Sequence, residues 1–231
     1  MLADALREVS ETLYSAAAAA GCNPPVLVAV SKLQPATAIA ELAAAGQRDF
    51  GENYVQEALR KRQELEAAGV AVPLTWHLIG HLQGNKAREA AVAFDWVQSV
   101  DRPSIAAALA RHRPADREPL NVLLQVNVDD ESSKHGCHPD EVPALAAAVA
   151  AEPTLRLRGL MISPAPWPDL EARRPAFRAA KQLFDALRAA HPGVDTLSMG
   201  MSDDYLLALG EGATMVRIGS ALFGARPPRA T

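Results

Sequence analysis

The chain has 231 residues, a formal net charge of −4, and ordinary shares of apolar (49%) and charged (22%) residues. This composition excludes a polybasic nucleic-acid binder, a disordered or collagen-like chain and a coiled coil, and it supplies enough apolar surface for a substantial core. Two cysteines, Cys22 and Cys137, are too few for a disulfide scaffold and suit a reducing cytoplasm. No apolar run approaches the roughly 18–20 residues that span a bilayer, and the mixed-charge first segment does not read as a signal peptide.

Leu2, Leu6, Val9 and Leu13 recur at helical spacing in an alanine-rich stretch, which predicts an amphipathic helix over Leu2–Ala20, ending near Gly21 and Pro24-Pro25. This lead-in element, within residues 1–22, precedes a repeating pattern. Val26-Leu-Val-Ala-Val30 is a short unbroken run rich in β-branched residues, as expected of a strand buried on both faces in a parallel sheet. A helix is predicted over Pro35–Ala45. The strand-then-helix unit then recurs, with strands predicted to start near Val26, Asp49, Thr75, Trp96, Asn121, Leu155, Thr196 and Met215. Between them lie helical stretches such as Tyr54–Ala68, Pro103–Arg111, Pro139–Ala151, Leu170–Ala190 and Asp203–Leu209. Alternation of this kind implies parallel pairing. Eight units, with no glycine-rich first turn and no linker-like stretch, predict an α/β fold: one (β/α)₈ TIM barrel spanning 1–231 as a single domain, with 226–231 a frayed tail.

In such a barrel chemistry belongs at the carboxyl ends of the strands. The residues that close the runs are polar: Ser31-Lys32, Glu52-Asn53, Gly80-His81, Ser99-Val-Asp101, Asn127-Val-Asp129, Met161-Ile-Ser163, Gly200-Met-Ser202 and Gly219-Ser220. Of the five lysines, Lys61 and Lys181 fall among other charges in helical stretches and read as solvated, while Lys86 and Lys134 sit in polar loops. Lys32 alone ends an apolar strand, on the parity of Val26, Val28 and Val30, so its amine is expected in the mouth. Partial burial lowers an amine's pKa and frees its lone pair for Schiff-base chemistry. The alternative is a lysine that snorkels to solvent or pairs with a carboxylate such as Glu52.

Leu197-Ser-Met-Gly-Met-Ser-Asp-Asp204 and Met215-Val-Arg-Ile-Gly-Ser220 flank the phosphate position usual in this fold. Ser202 is either an ordinary helix N-cap or, with backbone N–H groups around Gly219 and Ser220, part of an anion cradle. Gly219 and Ser220 read either as a plain turn or as a place where a ligand approaches the main chain. Arg217 shares the strand face of Gly219, and a buried guanidinium needs an acceptor. Glu52, Asp101 or an aromatic nitrogen of a cofactor would serve.

An amine, a phosphate cradle and an arginine facing a ring nitrogen describe a pyridoxal 5′-phosphate site, and the chain resembles the pyridoxal phosphate homeostasis protein family, single-domain relatives of the alanine racemase barrel. The matching segments span nearly the whole chain: Val28-Ala-Val-Ser-Lys32, Phe50-Gly-Glu-Asn-Tyr-Val-Gln-Glu57, Trp76-His-Leu-Ile-Gly-His-Leu-Gln-Gly-Asn-Lys86, Ser99-Val-Asp-Arg102, Leu123-Leu-Gln-Val-Asn-Val128 with Ser133-Lys-His-Gly136, Arg158-Gly-Leu-Met161, Leu197–Asp204 and Met215–Gly224. The resemblance implies that Lys32 carries the cofactor as a Schiff base and that Asn53 lies beside it. It further implies that Ser202, Gly219 and Ser220 hold the phosphate and that Arg217 faces the pyridine nitrogen. The chain departs from the family's usual wording at Ser163, Ala213 and Ser220.

The same resemblance implies a cytoplasmic, monomeric carrier or regulator in vitamin B6 homeostasis, with pyridoxal 5′-phosphate as its ligand and other B6 vitamers or amino acids as candidate partners. A guanidinium donates hydrogen bonds and does not protonate a pyridine nitrogen, so the cofactor's electron sink is weakened and little or no turnover is expected. Racemisation needs a second acid or base opposite the lysine. In alanine racemases this is a tyrosine placed with the help of a second domain; this chain is expected to stop at one domain, and of Tyr14, Tyr54 and Tyr205 only Tyr54 sits near a strand end. The alternatives are a weak pyridoxal phosphate-dependent amino-acid racemase or a Schiff-base aldolase acting on a phosphorylated sugar. His77 and His81 lack the spacing and third ligand of a zinc site, so no metal is expected. Gly210-Glu-Gly212 reads as a helix end, and Phe50, Trp76 and Trp96 as core.

Overall fold

The computed structural model describes residues 1–129, 135–165 and 167–224. The expectations for Ser133-Lys134 and for the tail 226–231 lie outside the described residues. Helix α1 (Leu2–Ala20) buries one stripe, Leu6, Val9, Leu13 and Ala17, and ends at Gly21, after which the Cys22 N–H donates to the Ala17 carbonyl at 3.0 Å. Strands and helices then alternate: β1 (Val26–Val30), α2 (Ala36–Ala44), β2 (Asp49–Glu52), α3 (Val55–Ala67), β3 (Thr75–Leu78), α4 (Ala87–Ala93), β4 (Trp96–Val100) and α5 (Pro103–His112). The second half continues with β5 (Leu120–Val126), α6 (Val142–Ala150), β6 (Leu155–Ile162), α7 (Arg174–Ala190), β7 (Thr196–Ser198), α8 (Tyr205–Gly210), β8 (Met215–Ile218) and α9 (Ser220–Phe223).

The eight strands pair in parallel, each with its sequence neighbour, and β1 closes on β8, so the sheet is a complete barrel. Closure removes the exposed edges an open sheet would have. Apolar residues of the strands, including Ala29, Phe50, Trp76 and Val97, join Ile39, Leu42, Leu109, Phe177 and Phe184 of the helices in one core cluster. Each large side chain moved from water into such a core contributes about 1.5–3 kcal/mol. No described helix is long and apolar enough to cross a membrane.

The structure corrects three local expectations. β1 is not buried throughout: Val26 is exposed and Leu27 half-buried, because the strand starts at the barrel's lower rim, beside a groove that α1 forms with Pro24-Pro25 and Gln47–Asp49. Helix α8 starts at Tyr205, two residues later than predicted, because the Asp204 carboxylate accepts the Met201 N–H at 2.7 Å and Arg173 at 2.6 Å. Trp96 is only half-buried and stacks on His77 at 5.4 Å, whereas Phe50 and Trp76 are core residues as expected.

Candidate functional site

Arg217 is the third residue of β8 and is 5% exposed. Its Nη1 donates to Ser198 Oγ and its Nη2 to the Ile162 carbonyl, both at 2.8 Å. The two carboxylates considered from sequence are engaged elsewhere: Glu52 with Lys61 and Ser31, Asp101 with Arg102 and His81. Among the described residues no carboxylate lies within ion-pair distance of Arg217. Burial pushes its guanidinium down to about 10, with Asp204 opposing the shift, so it stays charged near neutral pH. A guanidinium has five N–H donors, and the two hydrogen bonds leave others for a ligand.

Two residues beyond Arg217 the backbone N–H groups of Gly219 and Ala221 both donate to Ser202 Oγ, at 3.2 and 3.3 Å. Ser202 is therefore not the N-cap of α8. Its hydroxyl instead ties the loop after β7 to the start of α9, where Ser220 is the exposed first residue. Gly219 has φ −116°, open to any residue, and an added Cβ would meet only Val30, at an ordinary 3.5 Å. Neither backbone nor neighbours demand glycine there.

β1 and β8 pair with Val28 opposite Arg217, which sets Val30 beside Gly219 and makes Lys32 the next residue of the same parity. Lys32 is half-buried. The residues around it are held by a buried ion cluster. Lys61, read from sequence as solvated, is fully buried: its Nζ donates to the Ser31 carbonyl at 2.6 Å and to Glu52 and Glu57 at 2.7 Å each. Glu57 also accepts the N–H of Leu33 at 2.6 Å, and Leu33 holds φ 64°, a conformation costing about 1–2 kcal/mol for a side-chain-bearing residue. The Lys32 loop is thus clamped on both sides of the lysine. Burial pushes the Glu52 carboxyl up against the pull of Lys61 and Ser31, and its Oε2 has no hydrogen-bond partner among the described residues.

Asn53 stands apart from this quadrant. It lines a cavity of about 420 Å³ with Tyr54, Gly80, His81, Gln83 and Lys86, on the β2–β3 side. A Cβ on Gly80 would fall 2.2 Å from the Asn53 carbonyl, so glycine is required for the two loops to approach. His81 stacks on His135 at 3.9 Å and faces Asp101 at 3.5 Å; burial and His135 push its imidazole below the usual range. Ser202 and Gly219 are therefore in direct contact, Arg217 lies two residues before Gly219 on β8, Lys32 opens the loop after the adjoining strand β1, Ser220 is exposed at the start of α9, and Asn53 enters from the opposite side of β1.

Sequence reasoning missed Lys61 and the polar residues beneath Arg217. The signal for Lys61 was its position in the stripe Val55, Ala58, Lys61, Leu65, the face of α3 that is buried. The signal for Ser198, Gln98 and His77 was a polar side chain inside a short buried strand, which must find a partner.

The family model described as "Alanine racemase, N-terminal domain" matches residues 5–227. The pyridoxal phosphate homeostasis protein of Pseudomonas aeruginosa is 53% identical over 227 residues, covering 97% of this chain and 96% of that protein. That of Escherichia coli strain K12 is 49% identical and covers 97% of each chain. The PipY protein of Synechococcus elongatus, whose structure is known without PLP and with PLP bound, is 37% identical with TM-scores of 0.86 and 0.83, covering 97% of this chain and all of PipY. Matched from one end of the barrel to the other, the chain belongs to the pyridoxal phosphate homeostasis protein family, within the wider alanine racemase N-terminal domain family.

Proposed function

We propose that this chain binds pyridoxal 5′-phosphate as a Schiff base on Lys32 and acts as a carrier or regulator in vitamin B6 homeostasis, with little or no turnover. The observation that carries the reading is Arg217, a buried cation with no carboxylate partner among the described residues, two residues before the Gly219–Ser202 contact and one strand away from the Lys32 loop. The residues fit the group: Ser202 draws two N–H groups together at the start of α9, and spare guanidinium donors of Arg217 want an acceptor. When bound, the cofactor supplies an aldehyde that condenses with a primary amine and an aromatic ring that can accept electron density.

Lys32 would hold the aldehyde carbon, Ser202 with Gly219 and Ser220 the phosphate, Arg217 the ring nitrogen, and Asn53 one flank of the ring. Arg217 keeps its proton near neutral pH and hands none to the ring, which leaves the ring a poor electron sink and favours holding over turnover. The pyridoxal phosphate in the PipY structure supports the choice of ligand. Two free cysteines, Cys22 and Cys137, fit a cytoplasmic protein, and we propose a monomer.

Purified protein mixed with pyridoxal phosphate is expected to turn yellow, and borohydride should bleach the visible band and fix the cofactor on the peptide containing Lys32. Lys32→Ala should fold and lack that band. Rapid exchange of the α-proton of alanine by the loaded protein would replace the carrier reading with a racemase, and a colourless protein that cleaves phosphorylated sugars would replace it with an aldolase.

A further inference from the structure

The interior layers of a (β/α)₈ barrel are ordinarily filled by bulky aliphatic side chains. Below Arg217 this barrel instead carries an unbroken file of polar groups. Arg217 Nη1 donates to Ser198 Oγ at 2.8 Å, and Ser198 Oγ in turn donates to Gln98 Oε1 at 2.7 Å. Gln98 Nε2 lies 3.1 Å from His77 Nδ1, and His77 Nε2 lies 3.0 Å from Asp49 Oδ1. Five strands, β8, β7, β4, β3 and β2, each contribute one member. Ser198, Gln98 and His77 are fully buried, while the Asp49 side chain, 29% exposed, reaches the groove at the opposite end of the barrel from Lys32.

With the Gln98 Nε2 facing His77 and Met215, the file runs in one direction. In that direction His77 Nε2–H donates to the Asp49 carboxylate, and His77 Nδ1 accepts from the Gln98 amide. The Gln98 carbonyl then takes the Ser198 hydroxyl proton, so the Ser198 lone pairs face Arg217. The Gln98 amide also approaches the Met215 sulfur at 3.2 Å, and Trp96 stacks on the His77 ring, so neither middle member is free to turn over. Burying these groups costs more than an aliphatic filling would, unless their order serves something.

We propose that Ser198, Gln98, His77 and Asp49 are positioning residues that aim the Arg217 guanidinium at the ring of the bound cofactor and hold it there. This rests on the pyridoxal phosphate reading above. With Nη1 turned into the file and Nη2 tied to Ile162, the rotation of the guanidinium plane is set, and its remaining donors keep one direction. The file acts through Arg217 and touches no ligand itself.

The test uses the full chain titrated with pyridoxal phosphate, reading affinity, the position of the visible band and the fraction fixed by borohydride. Ser198→Ala removes the link next to Arg217 and is expected to weaken binding about tenfold and move the band. Ser198→Thr, which keeps the hydroxyl, should restore both. Asp49→Asn, at the half-exposed far end, should shift the band in the same sense by less, with the borohydride-fixed fraction unchanged. A merely structural role would lower the melting temperature and leave the band where it is. Folded Ser198→Ala and Asp49→Asn proteins with the affinity and spectrum of the wild type would overturn the proposal alone; a wild-type protein that takes up no pyridoxal phosphate would overturn it together with the functional reading.

Discussion

Two buried cations stand on opposite sides of β1, and they are treated differently. Lys61, beside β2, has three ammonium protons and three acceptors, two of them carboxylates. Arg217, in β8, has one hydroxyl and one carbonyl, no carboxylate among the described residues, and donors to spare. A charge taken from water must be repaid by partners. Lys61 is neutralised within the protein, so it belongs to the scaffold, whereas Arg217 has only neutral acceptors among the described residues. The contrast separates a buried cation neutralised by the scaffold from one that we propose meets the ligand, although both are buried and basic.

The largest expected effect tests the scaffold side. Lys61→Met leaves Glu52 and Glu57 without their cation and should destabilise the protein by about 3–5 kcal/mol, measured by urea unfolding of the cofactor-free chain. Arg217→Met should show the reverse pattern: a smaller loss in the same unfolding experiment, but binding of pyridoxal phosphate weakened roughly 10- to 100-fold in a fluorescence titration. If Arg217→Met cost more stability than Lys61→Met, the distinction between the two cations would be broken. Ser202→Ala sharpens it further. Loss of the hydroxyl on which Gly219 and Ala221 converge should weaken pyridoxal phosphate about tenfold and leave pyridoxal, which has no phosphate, unchanged.

The smallest effect concerns a buried group outside both regions. Burial, with Glu141 adding to it, pushes the Cys137 thiol from 9.0 up to about 12. Its thiolate fraction at pH 8 is then about a thousandfold below that of an ordinary cysteine, so iodoacetamide should label exposed Cys22 and leave Cys137 unmodified, as peptide mapping would show. The sign of the linkage follows. The unfolded chain loses this proton first, so wild type should lose stability relative to Cys137→Ala as pH rises from about 9 towards 12.

Much of this was legible in the chain. Seven of the eight predicted strand starts coincide with the observed ones, and β5 begins one residue early, at Leu120. Parity put Lys32 in line with Val28 and Val30 along β1 and its loop, and Arg217 in line with Gly219 along β8; the register that sets Arg217 opposite Val28 and Gly219 beside Val30 came only from the paired strands. The reading failed where a local rule gave two answers. Glu57 and Lys61 at i,i+4 look like a solvated pair, but the same spacing lies on the buried face of α3, and only the packing of that face on the loop after β1 chose between them. Ser202 before a helix looks like an N-cap, but Asp204 took the helix start and left the hydroxyl to a loop of the next strand.

Period and parity are properties of neighbours along the chain, so the sequence by itself determined the barrel, the order of its strands and which residues face its mouth. Partnership is different. Ser198 meets Gln98 across 100 residues, and Arg217 meets Ile162 across 55. Such pairs form only when closure of β1 on β8 encloses one interior and removes water as the alternative partner, so the tertiary structure alone decided which buried cation met carboxylates and which met only neutral acceptors.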